Sequence, residues 1–153
     1  MAYINDTIST MNIKIKRFDK ELPLPEYKTK GAVALDLYAR EDTVIKPGKV
    51  KLIPLNIAIQ IPKGYFVLIA NRSSTYKLGI TCVNGIGVGD HDYCGDNDEY
   101  MFPALNFTSE TVTIEKGTRC CQMLILPIAN VEVKEVERMK NKDRGGFGST
   151  GKN

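Results

Sequence analysis

The sequence predicts an all-β domain, a sandwich or a barrel, from period-two apolar segments and the turn signals between them. Residues 55–61 (LNIAIQI) alternate between apolar and other side chains, and residues 13–15 (IKI) do the same. Turn residues follow at 47–48 (PG), 62–64 (PKG) and 116–117 (KG). Many short strands separated by turns are typical of an all-β sandwich or barrel.

Further strands are predicted along the chain. Residues 111–115 (TVTIE) fit a half-exposed strand, and residues 131–133 (VEV) alternate with period two. The apolar runs at 67–70 (VLIA) and 123–126 (MLIL) are predicted to be strands buried on both faces. Helix is therefore expected to be scarce.

One short helix is predicted at residues 74–78, with Ser73 or Ser74 as its N-cap. The apolar pattern ends near Lys140, so we expect one domain over residues 1–143, followed by a flexible arm over 144–153. Met11 offers a second start site, and residues 1–10 are predicted to be disordered. They carry neither the basic nor the apolar region of a signal peptide, and we expect none.

The composition is that of an ordinary soluble protein. The chain has 153 residues, of which 42% are hydrophobic and 25% charged. A net charge of +3 is too small to indicate a nucleic-acid surface. No apolar run approaches the roughly 20 residues that span a membrane. We therefore expect neither a nucleic-acid partner nor a membrane.

The cysteines do not indicate a zinc site. Cys82, Cys94, Cys120 and Cys121 form no C-x-x-C pair, and His91 is the single histidine. Reduced cysteines are typical of cytosolic proteins. The expected location is the cytoplasm, or the interior of a host cell if the source is a virus.

The C-terminal residues 146–152 (GFGSTGK) are close to a Walker A loop, but Asn153 follows the lysine and no helix can begin there. Their composition still suits a phosphate ligand, since glycines expose backbone N–H groups. Arg144, Ser149 and Thr150 add phosphate-binding side chains. Phe147 is suited to stacking on a planar ligand. A disordered tail is the alternative.

Residues 71–75 (NRSST) follow a predicted buried strand and precede the predicted helix. An arginine and hydroxyls at such a junction can bind phosphate oxygens. The alternative is a helix cap beside a surface arginine. Asp36 lies in the apolar stretch 31–38, where an unpaired carboxylate is costly, so it needs a partner or a place at a sheet edge.

Acidic residues crowd between Asp90 and Glu99. The register of an EF-hand fails, because Cys94 follows where a ligand is needed. Two interpretations remain open. The segment is an acidic hairpin loop, or Asp90 is a carboxylate that activates water beside a phosphate site.

These four segments, together with residues 117–123 (GTRCCQM), resemble the five ordered motifs of the trimeric dUTPases. The resemblance implies a jelly-roll-like distorted β-barrel that forms a homotrimer with active sites at subunit interfaces. It implies hydrolysis of dUTP to dUMP and pyrophosphate with Mg²⁺. This reaction limits uracil incorporation into DNA and supplies dUMP for dTMP synthesis.

The resemblance also implies roles for single residues. Asp90 matches the carboxylate that orients and deprotonates the attacking water, and Tyr93 matches the aromatic that packs on the deoxyribose. Asp36 matches an acid that acts on the metal through water or holds the interface. The uracil edge would be read by the backbone around Asn84, Gly87 and Val88, with the hairpin after Gly95. The phosphate contacts would be Arg72, Ser73, Ser74 and Gln122.

The C-terminal arm would act as a lid. Phe147 would cover the uracil ring, Arg144, Ser149 and Thr150 would lie near the outer phosphates, and Gly148 would bind the substrate with them. Closure of such a lid excludes bulk water and completes the site.

The sequence departs from the family pattern at several positions. Gly89 stands where a bulky apolar residue is usual, and is expected to loosen the backbone at Asp90. Asn71 and Ser74 replace a common proline and glycine. Extra residues at 96–99 lie beside the expected base pocket. Arg144 lies closer than usual to the glycines of the arm and is expected to reach a different phosphate oxygen. Cys120-Cys121 replaces a common Ile-Ala pair, a packing change.

Two alternatives to a dUTPase fit parts of the sequence. A dCTP deaminase of the same fold would need an arginine near Lys77 and a glutamate near Pro103, and would lack the C-terminal arm. A non-catalytic dUTP-binding regulatory protein would bind without turnover, with Gly89 as the sign of lost activity. Asp90 and the arm are both present, which favours the enzyme.

Overall fold

The structure, a computed structural model, describes residues 10–146 and consists almost entirely of short strands. The strands are β1 (Lys14–Arg17), β2 (Leu35–Tyr38), β3 (Thr43–Ile45), β4 (Val50–Pro54), β5 (Ile57–Gln60), β6 (Tyr65–Asn71), β7 (Ile80–Cys82), β8 (Ile86–Gly89), β9 (Met101–Asn106), β10 (Val112–Ile114) and β11 (Arg119–Pro127). Among residues 10–146 there is a single 3-10 turn, Thr75–Leu78, which lies between β6 and β7. The predicted all-β class with one short helix is confirmed.

The strands pair in four sheets, and all the pairs are antiparallel. The largest sheet has the order β2-β11-β6-β8 and the second has the order β4-β9-β7, while β1-β5 and β3-β10 form two-stranded sheets. In the largest sheet Asp36, Gln122, Ala70 and Ile86 lie opposite one another in one row across the four strands. This row fixes where the side chains of the site can lie.

The inner faces of the sheets share one hydrophobic core. Its largest fully buried side chains include Phe102, Leu37, Ile45, Ile53 and Met123. Full burial of one such side chain stabilises the fold by about 1.5–3 kcal/mol. The core therefore holds strands that are too short to be stable alone.

The outer face of the largest sheet is less covered than the sequence predicts. Val67, Ile69 and Met123 are buried, but Leu68 and Leu124, which point to the other face, are only half-buried. The prediction that segments 67–70 and 123–126 are buried on both faces is therefore wrong for residues 10–146 taken alone. An apolar face of this kind is available for contact with another chain.

The predicted strand at Val131–Val133 is wrong. No strand is present there, and the two valines are 80% and 90% exposed. Period-two alternation produces a strand only where a neighbouring edge accepts its hydrogen bonds. Beyond Pro127 the described chain has left the sheet, so no such edge is available.

The turn at 75–78 is held by Thr75 and not by a serine cap. Ser74 occupies the N-cap position but makes no capping hydrogen bond through its side chain. Instead the Thr75 hydroxyl accepts the Arg72 N–H at 2.8 Å and donates to the Cys120 carbonyl at 2.9 Å. Within residues 10–146, no helix has the length and apolar character needed to cross a membrane.

Asn106 ties β9 to the β3-β10 pair. Its buried amide nitrogen donates to the carbonyls of Ile45 and Glu110, at 2.8 and 2.7 Å. Its amide oxygen accepts the Thr108 N–H at 2.8 Å. Three backbone groups thus depend on one side chain.

We predict that Asn106→Ala lowers the free energy of unfolding by about 2–3 kcal/mol, because it removes these three hydrogen bonds and leaves the buried Ile45 carbonyl without the amide donor. Urea denaturation measures the change. Asn130→Ala, at an exposed position, is the control and is expected to change stability by less than about 0.5 kcal/mol. Equal midpoints for the two variants would contradict the prediction.

Candidate active site

The loop after β6 begins from a fixed backbone. The Asn71 amide donates to the Thr81 hydroxyl at 2.9 Å and accepts the Cys82 N–H at 3.0 Å. The Gln122 amide donates to the Asn71 carbonyl at 3.0 Å. A proline at 71 could make neither side-chain bond, so this departure from the family pattern has a structural reason. The next residue, Arg72, is positioned as a result.

Asp36 holds two arginines. Its Oδ1 accepts Arg72 Nε at 2.9 Å, and its Oδ2 accepts Arg119 Nη1 at 3.0 Å. Arg72 Nη1 also donates to the Arg119 carbonyl at 2.9 Å. Asp36 is 8% exposed and lies on the edge strand β2, so the predicted need for a partner or an edge is confirmed on both counts. Both carboxylate oxygens are occupied by guanidinium groups.

Asp36, Arg72 and Arg119 form what we call the arginine cluster. A cavity of about 290 Å³ opens beside it. Its polar lining consists of Lys28, Thr29, Asp36, Arg72, Ser73, Arg119 and Gln122. Arg72, Arg119 and Lys28 outnumber the one carboxylate in the lining, although Lys28 also pairs with Glu26. The cavity therefore favours a ligand with several anionic oxygens. Lys28 and Arg119 are not predicted from the sequence. Arg119 lies inside the segment 117–123, in which only Gln122 was given a role.

A second cavity, of about 300 Å³, lies between β8 and the hairpin that follows it. Its lining includes Gly87, Val88, Asp90, Tyr93, Tyr100 and Met101. Backbone of β8 forms part of the wall, and the two tyrosines add aromatic surface. Such a wall suits a planar ring whose edge is read by backbone N–H and C=O groups.

Tyr93 is held in place by the hairpin. Its hydroxyl donates to the Glu99 carbonyl at 3.0 Å. Its ring meets Tyr100 edge to face, with the centroids 5.2 Å apart and the planes at 83°. The Tyr93 side chain is therefore fixed at both its hydroxyl and its ring, which prepares it to pack against a ligand.

Glu99 anchors the extra residues at 96–99. Its carboxylate is buried and accepts Arg40 Nε at 2.8 Å and the Asn56 N–H at 2.9 Å. The hydrogen bond with Glu99 raises the pKa of the Arg40 guanidinium above its ordinary value. Nearer the tip, Asp98 accepts the Gly95 N–H at 2.6 Å. The longer hairpin is thus fastened to the core beside the cavity.

Asp90 is exposed and follows directly on the last residue of β8. Its carboxylate makes no ion pair with any of the residues 10–146, while its carbonyl accepts the Tyr93 N–H at 3.2 Å. A carboxylate at the rim of a cavity and without a cationic partner is available to accept a proton from water.

Gly89 leaves room for Tyr100. A Cβ atom added at Gly89 would lie 2.2 Å from the Tyr100 hydroxyl oxygen and 2.5 Å from its Cε1. The tyrosine therefore fills the space that a side chain at 89 would take. The missing bulk at position 89 is visible in the sequence, but the residue that replaces it is not.

The structure brings the predicted residues together in two groups. Asp36, Arg72, Ser73 and Gln122 meet at the first cavity, and Gly87, Val88, Asp90 and Tyr93 line the second. Asn84 lies exposed in the turn before β8, and Ser74 begins the 3-10 turn, outside the linings of both cavities.

The arm is described only in part. Arg144 is exposed, and its side chain makes no ion pair with the described residues. Phe147, Gly148, Ser149 and Thr150 lie outside the described residues 10–146. Their predicted roles stay predictions.

The two groups are far apart within one chain. Asp36 and Ile86 share one row of the sheet, three strand spacings or roughly 14 Å apart. Asp90 lies four residues further along the chain, roughly 13 Å at the rise of a strand. The Cα atoms of Asp36 and Asp90 are therefore about 20 Å apart, and one chain alone does not place Asp90 beside the arginine cluster.

Solved structures show the same fold. A variant of the dUTPase of Staphylococcus bacteriophage 80alpha with dUpNHpp superposes with a TM-score of 0.80 at 24% identity, covering 93% of this chain and 99% of that chain. The dUTPase of Streptococcus mutans gives a TM-score of 0.71 at 27% identity, covering 78% and 98%. A phage phi11 dUTPase variant, described with a structural Mg(II) ion, gives 0.75 at 20%, covering 85% and 99%. The predicted jelly-roll-like architecture is confirmed.

The sequence comparisons agree with the fold. A deoxyuridine 5'-triphosphate nucleotidohydrolase of Nautilia profundicola is 42% identical over 93% of this chain and 100% of its own length. The SPbeta prophage-derived deoxyuridine 5'-triphosphate nucleotidohydrolase YosS of Bacillus subtilis is 43% identical over 92% and 99%. The family model described as dUTPase matches residues 20–151. With the same fold and both groups of motif residues in place, the chain belongs to the dUTPase family.

Proposed function

We propose that this protein hydrolyses dUTP to dUMP and pyrophosphate. The observation that carries the proposal is the exposed Asp90 carboxylate, without a cationic partner among residues 10–146, at the rim of an aromatic cavity. Asp90 accepts a proton from water while the water oxygen bonds to the α-phosphorus. The bond from that phosphorus to the bridging oxygen breaks, and pyrophosphate leaves.

The second cavity is proposed to hold the nucleoside. The backbone of Gly87 and Val88 would read the uracil edge, and Asn84 would contribute from the preceding turn. The Tyr93 ring would pack on the deoxyribose face and disfavour a 2′-hydroxyl. Its fixed hydroxyl and its contact with Tyr100 support this role, because a wall that discriminates by shape must not move.

The arginine cluster is proposed to hold the triphosphate. Arg72, Ser73 and Gln122 are the contacts expected from the sequence, with Ser74 beside them, and Arg119 and Lys28 are added by the structure. Asp36 positions the two guanidinium groups, since both of its oxygens are used in doing so. Positioned cations stabilise the charge that develops as phosphoryl transfer proceeds.

We infer that each active site is completed by a second subunit. About 20 Å separates Asp36 from Asp90 in one chain, whereas the attacking water must lie within about 3–3.5 Å of the α-phosphorus. The apolar surface left open by the described residues supports association, and includes Val131, Val133 and Met139. A homotrimer is the state that the family resemblance implies.

The reaction uses a divalent cation, and we propose Mg²⁺. Within residues 10–146 no group of three His, Cys, Asp or Glu side chains is arranged to hold a metal ion. The residues present therefore fit a cation held by the substrate phosphates and water, which suits Mg²⁺ because it dehydrates reluctantly. The cation would neutralise charge on the phosphates.

The C-terminal arm is proposed to close over the bound nucleotide. Arg144, Ser149 and Thr150 would contact the outer phosphates, Phe147 would cover the base, and Gly148 would let the backbone approach. A non-catalytic nucleotide-binding protein and a dCTP deaminase are not favoured, since the family match and the dUTP nucleotidohydrolase relatives point to hydrolysis of dUTP.

We predict that Asp90→Asn lowers kcat for dUTP by about 10³-fold with little change in KM, because general-base assistance is worth about 10²–10⁴-fold. Pyrophosphate release measures the rate, with dCTP, dTTP and UTP run in parallel as substrates. The wild-type protein is expected to hydrolyse dUTP far faster than the other three nucleotides.

Asp92→Asn is the matched control, since it removes an exposed carboxylate two residues away. It is expected to leave kcat within about threefold of the wild-type value, in line with an exposed position outside the site. If both variants lost activity equally, Asp90 would have no special role.

We predict that deletion of residues 144–153 leaves the domain folded and removes turnover, because the lid acts on the bound substrate and not on the core. Circular dichroism and the melting temperature report the fold, and pyrophosphate release reports turnover. A truncated protein that is unfolded, or that still hydrolyses dUTP at the wild-type rate, would refute the lid.

A further inference from the structure

We propose that Tyr100 is a positioning residue for the hydrolysis and that Gly89 provides the space it needs. The inference rests on the proposed dUTP hydrolysis. Tyr100 touches the strand end that leads into Asp90 and also the ring of Tyr93. One side chain therefore braces two groups that are needed at the nucleoside end of the site.

The strand partner of Gly89 shows where a side chain at position 89 would point. Gly89 pairs directly with Val67 across β6 and β8, and paired residues of an antiparallel ladder place their side chains on the same face. Val67 is fully buried, so a side chain at 89 would point into the interior. The interior at this point needs to be filled from elsewhere.

Tyr100 fills the interior space beside Gly89. The Tyr100 hydroxyl oxygen, Cε1 and Cζ lie 2.2, 2.5 and 2.7 Å from the position of a Cβ at Gly89. These distances are far below any real contact, so no other residue fits at 89 while Tyr100 stays in place. Gly89 and Tyr100 lie at opposite ends of the hairpin in sequence, and the Tyr100 ring occupies the space that a side chain at 89 would need.

The packing of Tyr100 also fixes Tyr93. The Tyr93 ring contacts the Tyr100 ring. The Tyr93 hydroxyl donates to the carbonyl of Glu99, the residue before Tyr100. Glu99 is itself fastened to Arg40 and Asn56. A displacement of Tyr100 would therefore move Tyr93 together with the backbone that leads into Asp90.

Tyr100 works by shape and not by charge. Burial, the first of several causes, raises the pKa of its phenol to about 12, so the side chain is neutral at the pH of the cell. Its hydroxyl oxygen has no hydrogen-bond partner among the described residues. The ring carries the packing, and Tyr100→Phe is expected to keep kcat/KM within about threefold of wild type, since it keeps the ring contact.

The test is a double-mutant cycle between positions 89 and 100. Gly89→Ala forces a collision and Tyr100→Leu removes the packing, so each is expected to lower kcat/KM for dUTP by about 10–100-fold through misplacement of reacting groups. The double variant Gly89→Ala/Tyr100→Leu relieves the collision, because leucine lacks the three atoms nearest to the new methyl group. It is expected to be at least about tenfold more active than the product of the single losses predicts.

Measurements besides activity separate positioning from loss of stability. The melting temperature and the affinity for dUpNHpp are measured on the same proteins. Ile114→Ala, at a buried position of β10 outside the linings of both cavities, is the control that is expected to lower the melting temperature without changing KM or kcat at 25 °C. The variants at positions 89 and 100 are expected to lose kcat/KM while they remain folded.

The outcomes distinguish the two proposals. A wild-type protein that releases no pyrophosphate from dUTP overturns the proposed function, and with it the role of Tyr100 in hydrolysis. An active wild type with additive losses in the cycle, or with a fully active Tyr100→Leu variant, overturns the positioning role alone. Activity losses that follow the melting temperature alone, so that Ile114→Ala loses as much activity as the variants at 89 and 100, overturn it as well.

Discussion

The row Asp36–Gln122–Ala70–Ile86 across the largest sheet is the constraint on which the site depends. It places Asp36 and Gln122 side by side on the paired strands β2 and β11, and it leaves β8 at the opposite edge of the sheet. The strand β8 then carries the chain further away before Asp90 is reached. Because backbone hydrogen bonds fix this register, no side-chain motion within one chain joins the two halves.

Two buried carboxylates stabilise the two halves in the same way. Asp36 binds Arg72 and Arg119, and Glu99 binds Arg40 together with a backbone N–H. A buried carboxylate that lost its partners would be strongly destabilising, so each of these acids locks its surroundings. The first holds Arg72 and Arg119 at the first cavity, and the second fastens the hairpin whose tyrosines line the second cavity.

The sequence predicts what depends on local pattern. Strands such as Val112–Ile114, and the need of Asp36 for a partner, follow from periodicity and from the cost of a buried charge. The partners themselves lie 36 and 83 residues away in the chain, beyond any local signal. Local pattern likewise does not show that Tyr100 fills the space left by Gly89, or that residues 131–133 form no strand. Both depend on contacts that form only in three dimensions.

We propose that Asp90 and Arg72 act on one substrate from different subunits. Asp90→Asn and Arg72→Ala variants, each inactive alone, would be coexpressed in equal amounts, purified as mixed oligomers and assayed for pyrophosphate release from dUTP. About a quarter of the sites are expected to recover activity, since random assembly of closed homo-oligomers pairs two intact halves at that frequency. No recovery in confirmed mixed oligomers would contradict the split site.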